Sequence, residues 1–210
     1  MKPRLRGVLH HYACFGSLIA GVALVLSAPD PLARVATGVY AAALAGLFTV
    51  SALYHRIDWT PAARRRMRRL DHAMIFVLIA GTYTPFAVLV LDGAVAAAVL
   101  VGMWVGALAG ILLKLIWIDA PKWLTAVVCL ALGWLGLASL PQLVSGAGVG
   151  AMALMAAGGV LYSVGAVVYA LGRPDPSPAV FGYHEVFHTL VVAAAALHFV
   201  GIAVYAMPVA

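Results

Sequence analysis

Ser51 and His55 stand four residues apart, His184 and His188 stand four residues apart, and Asp71 falls between the two pairs. Four residues is about one helical turn, so each pair shares a helix face. Three imidazoles and a carboxylate have metal chemistry open to them. Catalytic zinc takes three protein ligands and keeps a fourth position for water. It makes that water more acidic and polarises carbonyls. His55, His184 and His188 are therefore the candidate ligands of a Zn2+ ion. A nearby carboxylate orients or deprotonates the water, which makes Asp71 the candidate catalytic group. The Ser51 hydroxyl can hydrogen-bond the water or a substrate oxygen. A purely structural polar network of the same residues is the alternative.

Other polar residues compete for roles. His184-Glu185-Val186-Phe187-His188 matches the H-E-x-x-H pattern of zinc proteases, in which the Glu is the general base. Asp71 is preferred here as the base, with Glu185 solvent-facing or supporting the ligands from behind. Leu91-Asp92-Gly93 resembles a motif of intramembrane metalloproteases, but Asp92 is expected about one membrane thickness from His184. His10 and His11 read as contacts with lipid headgroups. His72 follows Asp71 and points about 100° away around the helix, so it reads as interfacial. His198 lies deeper in its helix and reads as a buried, hydrogen-bonded histidine.

The elements that must position these residues follow from composition. Hydrophobic residues make up 65% of the 210 and charged residues 10%, against roughly 25% charged in a soluble domain. Such a chain cannot cover its outside with polar groups, and lipid can replace water if every backbone group is paired internally. A membrane helix needs about 20 mostly apolar residues. Seven such runs are present, over residues 11–28, 35–55, 70–91, 95–116, 122–140, 149–171 and 183–206. The expected fold is all-α, a single seven-transmembrane-helix bundle over residues 1–210. Ala28-Pro29-Asp30-Pro31, Asp92-Gly93, Asp119-Ala120-Pro121-Lys122 and Arg173-Pro174-Asp175-Pro176-Ser177-Pro178 are its breaks, with the flexible Ser145-Gly146-Ala147-Gly148 between the fifth and sixth runs.

Lys and Arg set the orientation. With seven helices, twelve of the thirteen fall on one side, Lys2 among them, and only Arg34 on the other. The basic side is expected to be cytoplasmic, so the amino terminus is inside and the carboxyl terminus outside. This is the reverse of G-protein-coupled receptors and rhodopsins, and the last helix has no lysine for retinal. His55, Asp71, His184 and His188 then come to one depth near the cytoplasmic face, although none of them was used to set the topology.

The net charge of +6 reads as topology signal and contact with anionic lipid, not as nucleic-acid binding. The cluster Arg64-Arg65-Arg66 with Arg68 and Arg69 either contacts anionic headgroups or serves topology alone. Thr60-Pro61 is a good helix start, so the third helix can begin there. The basic start and apolar run resemble a signal peptide but end without a small-x-small cleavage site, so a retained first helix is expected. Cys14 and Cys129 make no disulfide framework and read as buried thiols. Trp104, Trp117, Trp123 and Trp134 read as interface anchors and packing. Pro85 predicts a packing kink in the third helix.

Ser51-x-x-x-His55, Asp71, Ala80-Gly81-Thr82-Tyr83-Thr84-Pro85 and His184-x-x-x-His188 resemble the signature of the hemolysin III proteins, within the progestin and adiponectin receptor family. These separated motifs, in order, make the resemblance cover nearly the whole chain. The resemblance implies seven helices with the amino terminus inside and zinc on His55, His184 and His188. It also implies that Ser51 and Asp71 hold a water beside that zinc. Related adiponectin receptors and alkaline ceramidases are associated with hydrolysis of the ceramide amide bond, and bacterial members with membrane lipid homeostasis. The chain is short beside the animal receptors, which argues against a hormone-receptor role.

The expectation is thus a zinc-dependent hydrolase of a lipid amide or ester in a bacterial inner membrane, its partners being membrane lipids and a lipid substrate. A non-catalytic sensor or homeostasis factor with structural zinc is the alternative. A pore-forming cytolysin is suggested by the family name only, because no charge-lined path crosses the whole membrane.

Overall fold

Proline and a capping side chain start two of the helices that carry the polar residues. Asp30 accepts hydrogen bonds from the backbone nitrogens of Leu32 (2.7 Å) and Ala33 (2.9 Å), with Pro31 at the first helical position. These partners satisfy donors that a helix start leaves open. Thr60 and Pro61 repeat the device for the next helix, where the Thr60 hydroxyl accepts from Ala63 at 3.4 Å. The computed structural model describes residues 3–209, with Leu137 as backbone alone; Lys2, counted above for topology, lies outside them.

Among these residues the chain forms α1 (Val8–Leu26), α2 (Pro31–Arg56), α3 (Pro61–Leu89), α4 (Gly93–Ile116), α5 (Lys122–Trp134), α6 (Leu140–Leu171) and α7 (Tyr183–Gly201). A 3-10 turn, Leu135–Ser139, joins α5 to α6, and a π turn, Ile202–Ala206, continues α7. Sequence neighbours pack side by side, and α1 also touches α7, which brings the two ends of the chain's helices together.

Three features bear on the expected boundaries. First, α3 begins at Pro61 and not at residue 70, as the Thr60 cap allows. Its 29 residues make a rod of about 44 Å, longer than the roughly 30 Å hydrocarbon core. The arginine-rich turns are therefore a helical extension of the span. Second, Pro85 lies inside α3, as expected from the sequence, and is fully buried without ending the helix. Third, the supposed flexible stretch at 145–147 is helical, and the break is Gly148 alone, with φ 84 and ψ 170. That conformation is open essentially to glycine. Trp134 Nε1 donates to Ser163 Oγ at 2.9 Å. These residues lie fourteen before and fifteen after Gly148, so the chain doubles back there.

Among the described residues, six helices are long and apolar enough to cross a membrane; Lys122–Trp134 is shorter. Large apolar side chains such as Ile19, Val22, Val105 and Ile116 face outward. Where lipid is the solvent, that is the expected outside. The main buried core joins Tyr40, Leu44 and Phe48 of α2, Leu78 and Phe86 of α3, Leu143 and Ala151 of α6, and Val191 and Ala195 of α7. The cysteines are both free, with Cys14 Sγ 3.1 Å from Thr49 Oγ1.

Candidate metal centre

α2 ends at Arg56 and α7 begins at Tyr183, so His55 and His184 face each other from the last and first turns of two rods. Their Nε2 atoms are 3.2 Å apart. His188 follows one turn later, its ring centroid 4.5 Å from that of His184 and 5.1 Å from that of His55. One ligand atom from each of the three lies within 4.8 Å of the others. These three residues can hold a metal ion.

The donor set fits zinc. Two nitrogens bound tetrahedrally at about 2.0–2.1 Å lie roughly 3.3–3.4 Å apart, close to the spacing of His55 and His184. His188 Nδ1 is buried without a hydrogen-bond partner. A buried polar atom left unpaired is costly, and a metal is one explanation for it.

Ser51 lies one turn before His55 and is buried. Its hydroxyl interacts with the Asp71 carboxylate. Asp71, His184 and His188 all border a chamber of about 270 Å³ between the helices. The rest of its wall is mostly apolar, including Leu47, Ile75, Phe86, Leu143 and Met152. A second, more polar opening, the mouth, borders the same centre at His55 and His184. Chamber and mouth share Asp71, His72, Tyr169 and His184.

Some expectations need correction. His10 is not a headgroup contact: it is only 2% exposed. Its ring stacks on His188 at 3.7 Å and 14°, and its Nδ1 is 2.8 Å from Ser51 Oγ. The signal was in α1 itself, whose buried residues His10, Ser17, Gly21 and Leu24 fall on one helical face. His11, one position on, is exposed. His72 is not merely interfacial, since it borders both chamber and mouth, with its Nδ1 buried and unpartnered. A helix embedded on most sides offers an inward face to neighbouring positions.

Glu185 is not solvent-facing: it is 1% exposed. One carboxylate oxygen accepts from Arg6 Nε, and the other accepts from Gly182 N at 2.8 Å. It caps α7 and anchors the segment before α1, with each oxygen already engaged by a structural partner. That segment is also held by Arg4 N to Ala179 O (3.0 Å) and Leu5 N to Val180 O (3.1 Å). It passes so close to α2 that a Cβ on Gly7, whose φ is 78, would sit 2.5 Å from His55 Cβ. Glycine is required there on both counts. Asp92 is exposed at the turn between α3 and α4, away from the histidines. His198 is buried and bonded through Nε2 to Met155 O at 3.1 Å, as expected.

Comparisons with known proteins identify the family. A family model described as haemolysin-III related matches residues 1–199. The "Hemolysin-3" of Bacillus cereus is 30% identical over 178 residues, covering 85% of this chain and 78% of that protein. The "Hemolysin-3 homolog" of Bacillus subtilis (strain 168) is 34% identical over 166 residues, covering 78% and 73%. With its apolar helices, this multi-span membrane protein belongs to the haemolysin-III related family, part of the progestin and adiponectin receptor family.

Proposed function

We propose that the protein is a zinc-dependent membrane hydrolase of a lipid amide or ester. The observation that carries this is the meeting of two environments: three converging imidazoles with a carboxylate, and an apolar chamber that opens on them. His55, His184 and His188 would hold the zinc. When bound, zinc would polarise a carbonyl and make water more acidic. Asp71 takes the proton from the attacking water and passes it to the leaving group. Ser51 fixes the Asp71 carboxylate, and His10 fixes Ser51 from behind. The chamber excludes bulk water and takes up the hydrocarbon chain. Seven crossings, the amino terminus inside and the metal centre near the cytoplasmic face of an inner membrane complete the proposal, supported by the Lys and Arg distribution.

The test uses the full-length protein in phosphatidylcholine bilayers with one N-acyl and one O-acyl lipid as substrates. Fatty acid release above background by the wild type, lost in His188→Ala, is the expected result. A zinc-loaded, folded wild type that releases no fatty acid from either class would sink the hydrolase proposal. It would favour instead a sensor or homeostasis factor with structural zinc, a reading that the tight stacking of His10 on His188 also suits.

A further inference from the structure

Four cations from three separate segments converge on the mouth of the centre: Arg6 before α1, Arg64 and Arg68 on α3, and Lys122 at the start of α5. They are not equivalent. Arg6 is taken up by Glu185, and Arg68 by Asp119 at 2.8 Å. Among the described residues, Arg64 and Lys122 have no ion-pair partner. Both are held against aromatic walls instead. Arg64 lies over the Tyr54 ring at 5.5 Å. Lys122 donates to the Tyr183 hydroxyl at 2.8 Å and lies 4.7 Å from that ring's centroid. Such contacts orient a cation without neutralising it. Arg65 and Arg66, on the same turns of α3, do not border the mouth.

The mouth and the chamber meet at Asp71, His72, Tyr169 and His184. A molecule with a hydrocarbon chain in the chamber and an anionic head in the mouth therefore passes the imidazoles at its join. We infer that Arg64 and Lys122 form a subsite for a terminal phosphate monoester, selecting acyl lipids with an anionic phosphomonoester head over zwitterionic phosphodiester ones. Two cationic donors that line one opening suit an oxyanion with several acceptor oxygens. The inference deepens the lipid-hydrolase proposal by naming the class of head. Only the placing of the chain in the chamber rests on that proposal.

The test reads binding without turnover. Full-length protein is incubated with equal amounts of phosphatidic acid and phosphatidylcholine carrying the same chains, and the retained lipids are counted. Wild type is expected to retain phosphatidic acid about tenfold over phosphatidylcholine, and Arg64→Gln/Lys122→Gln to bring the ratio near one. Arg65→Gln/Arg66→Gln removes the same charge outside the mouth and is expected to keep the wild-type ratio. Thermal unfolding confirms that both variants are folded. Equal retention by the wild type overturns the inference. So does an unchanged ratio in Arg64→Gln/Lys122→Gln, or an equal loss in the control pair, which would mean general attraction to anionic lipid. Millimolar inorganic phosphate separates the two sources of the group. Displacement supports recognition of phosphate alone, and retention despite it supports recognition on the lipid. Metal-stripped protein is expected to give the same ratios, so a failure of hydrolysis would leave this result standing.

Discussion

Polar residues on the first turns of α7, Glu185 and its neighbours His184 and His188, have opposite fates. Glu185 is buried with both carboxylate oxygens engaged, one by Arg6 and one by the Gly182 backbone. His184 and His188 are brought against His55, and His188 keeps a buried nitrogen without a partner. In a pattern such as H-E-x-x-H, burial alone does not distinguish structure from chemistry. Hydrogen-bond partners do: a group whose two oxygens are both tied to structural partners holds the fold, while a buried nitrogen without a partner beside a cavity is available to a ligand. The difference is one of helix face, since a step of one residue turns about 100° and moves from the chamber to the docked amino-terminal segment.

The sharpest way to break this contrast is at Asp71. Asp71→Asn keeps the shape and removes the proton acceptor, so fatty acid release is expected to fall about 10²–10⁴-fold. Zinc content and unfolding temperature should hold. An Asp71→Asn protein with near-wild-type turnover would return the role of base to another residue.

Glu185→Ala is the converse. It leaves Arg6 without its partner and uncaps α7, at an expected cost of about 3 kcal/mol, toward the lower end for broken buried pairs because Arg6 is 21% exposed. Unfolding in graded denaturant reads the loss, while turnover per folded molecule should stay within a few-fold. A large turnover defect with intact stability would make Glu185 a chemical group after all.

His10→Ala is smaller. It removes the ring stacked on His188 and the support behind Ser51. Residues that orient ligands are commonly worth 10–100-fold in metal affinity. The zinc dissociation constant, measured by competition with a chelator, is expected to rise about tenfold, with little change in the fold. No change would make the stack incidental packing.

Much of this was legible in the sequence, for identifiable reasons. The four-residue spacings of Ser51 with His55 and His184 with His188 specify shared faces whatever the tertiary structure. The Lys and Arg asymmetry is independent of those residues, and it brought them and Asp71 to one depth. His10 was missed because a histidine near a terminus looks interfacial unless its own helix face is traced through Ser17, Gly21 and Leu24. Glu185 was misplaced because its partner Arg6 is 179 residues away, and no local pattern signals that meeting. The extension of α3 was foreshadowed by Thr60-Pro61. The break at Gly148 was blurred because Ser145-Gly146-Ala147-Gly148 offers several flexible residues and only one adopts the positive φ.

The central claim is that His55, His184 and His188 form one zinc site, and metal content tests it most directly. Protein purified after growth with zinc, without chelators, is measured by mass spectrometry for metal per chain. About one zinc per chain is expected in the wild type, in Asp71→Asn and in Glu185→Ala, and close to none in His184→Ala or His188→Ala. A folded wild type without zinc, or a His184→Ala protein that keeps a full equivalent, would contradict it.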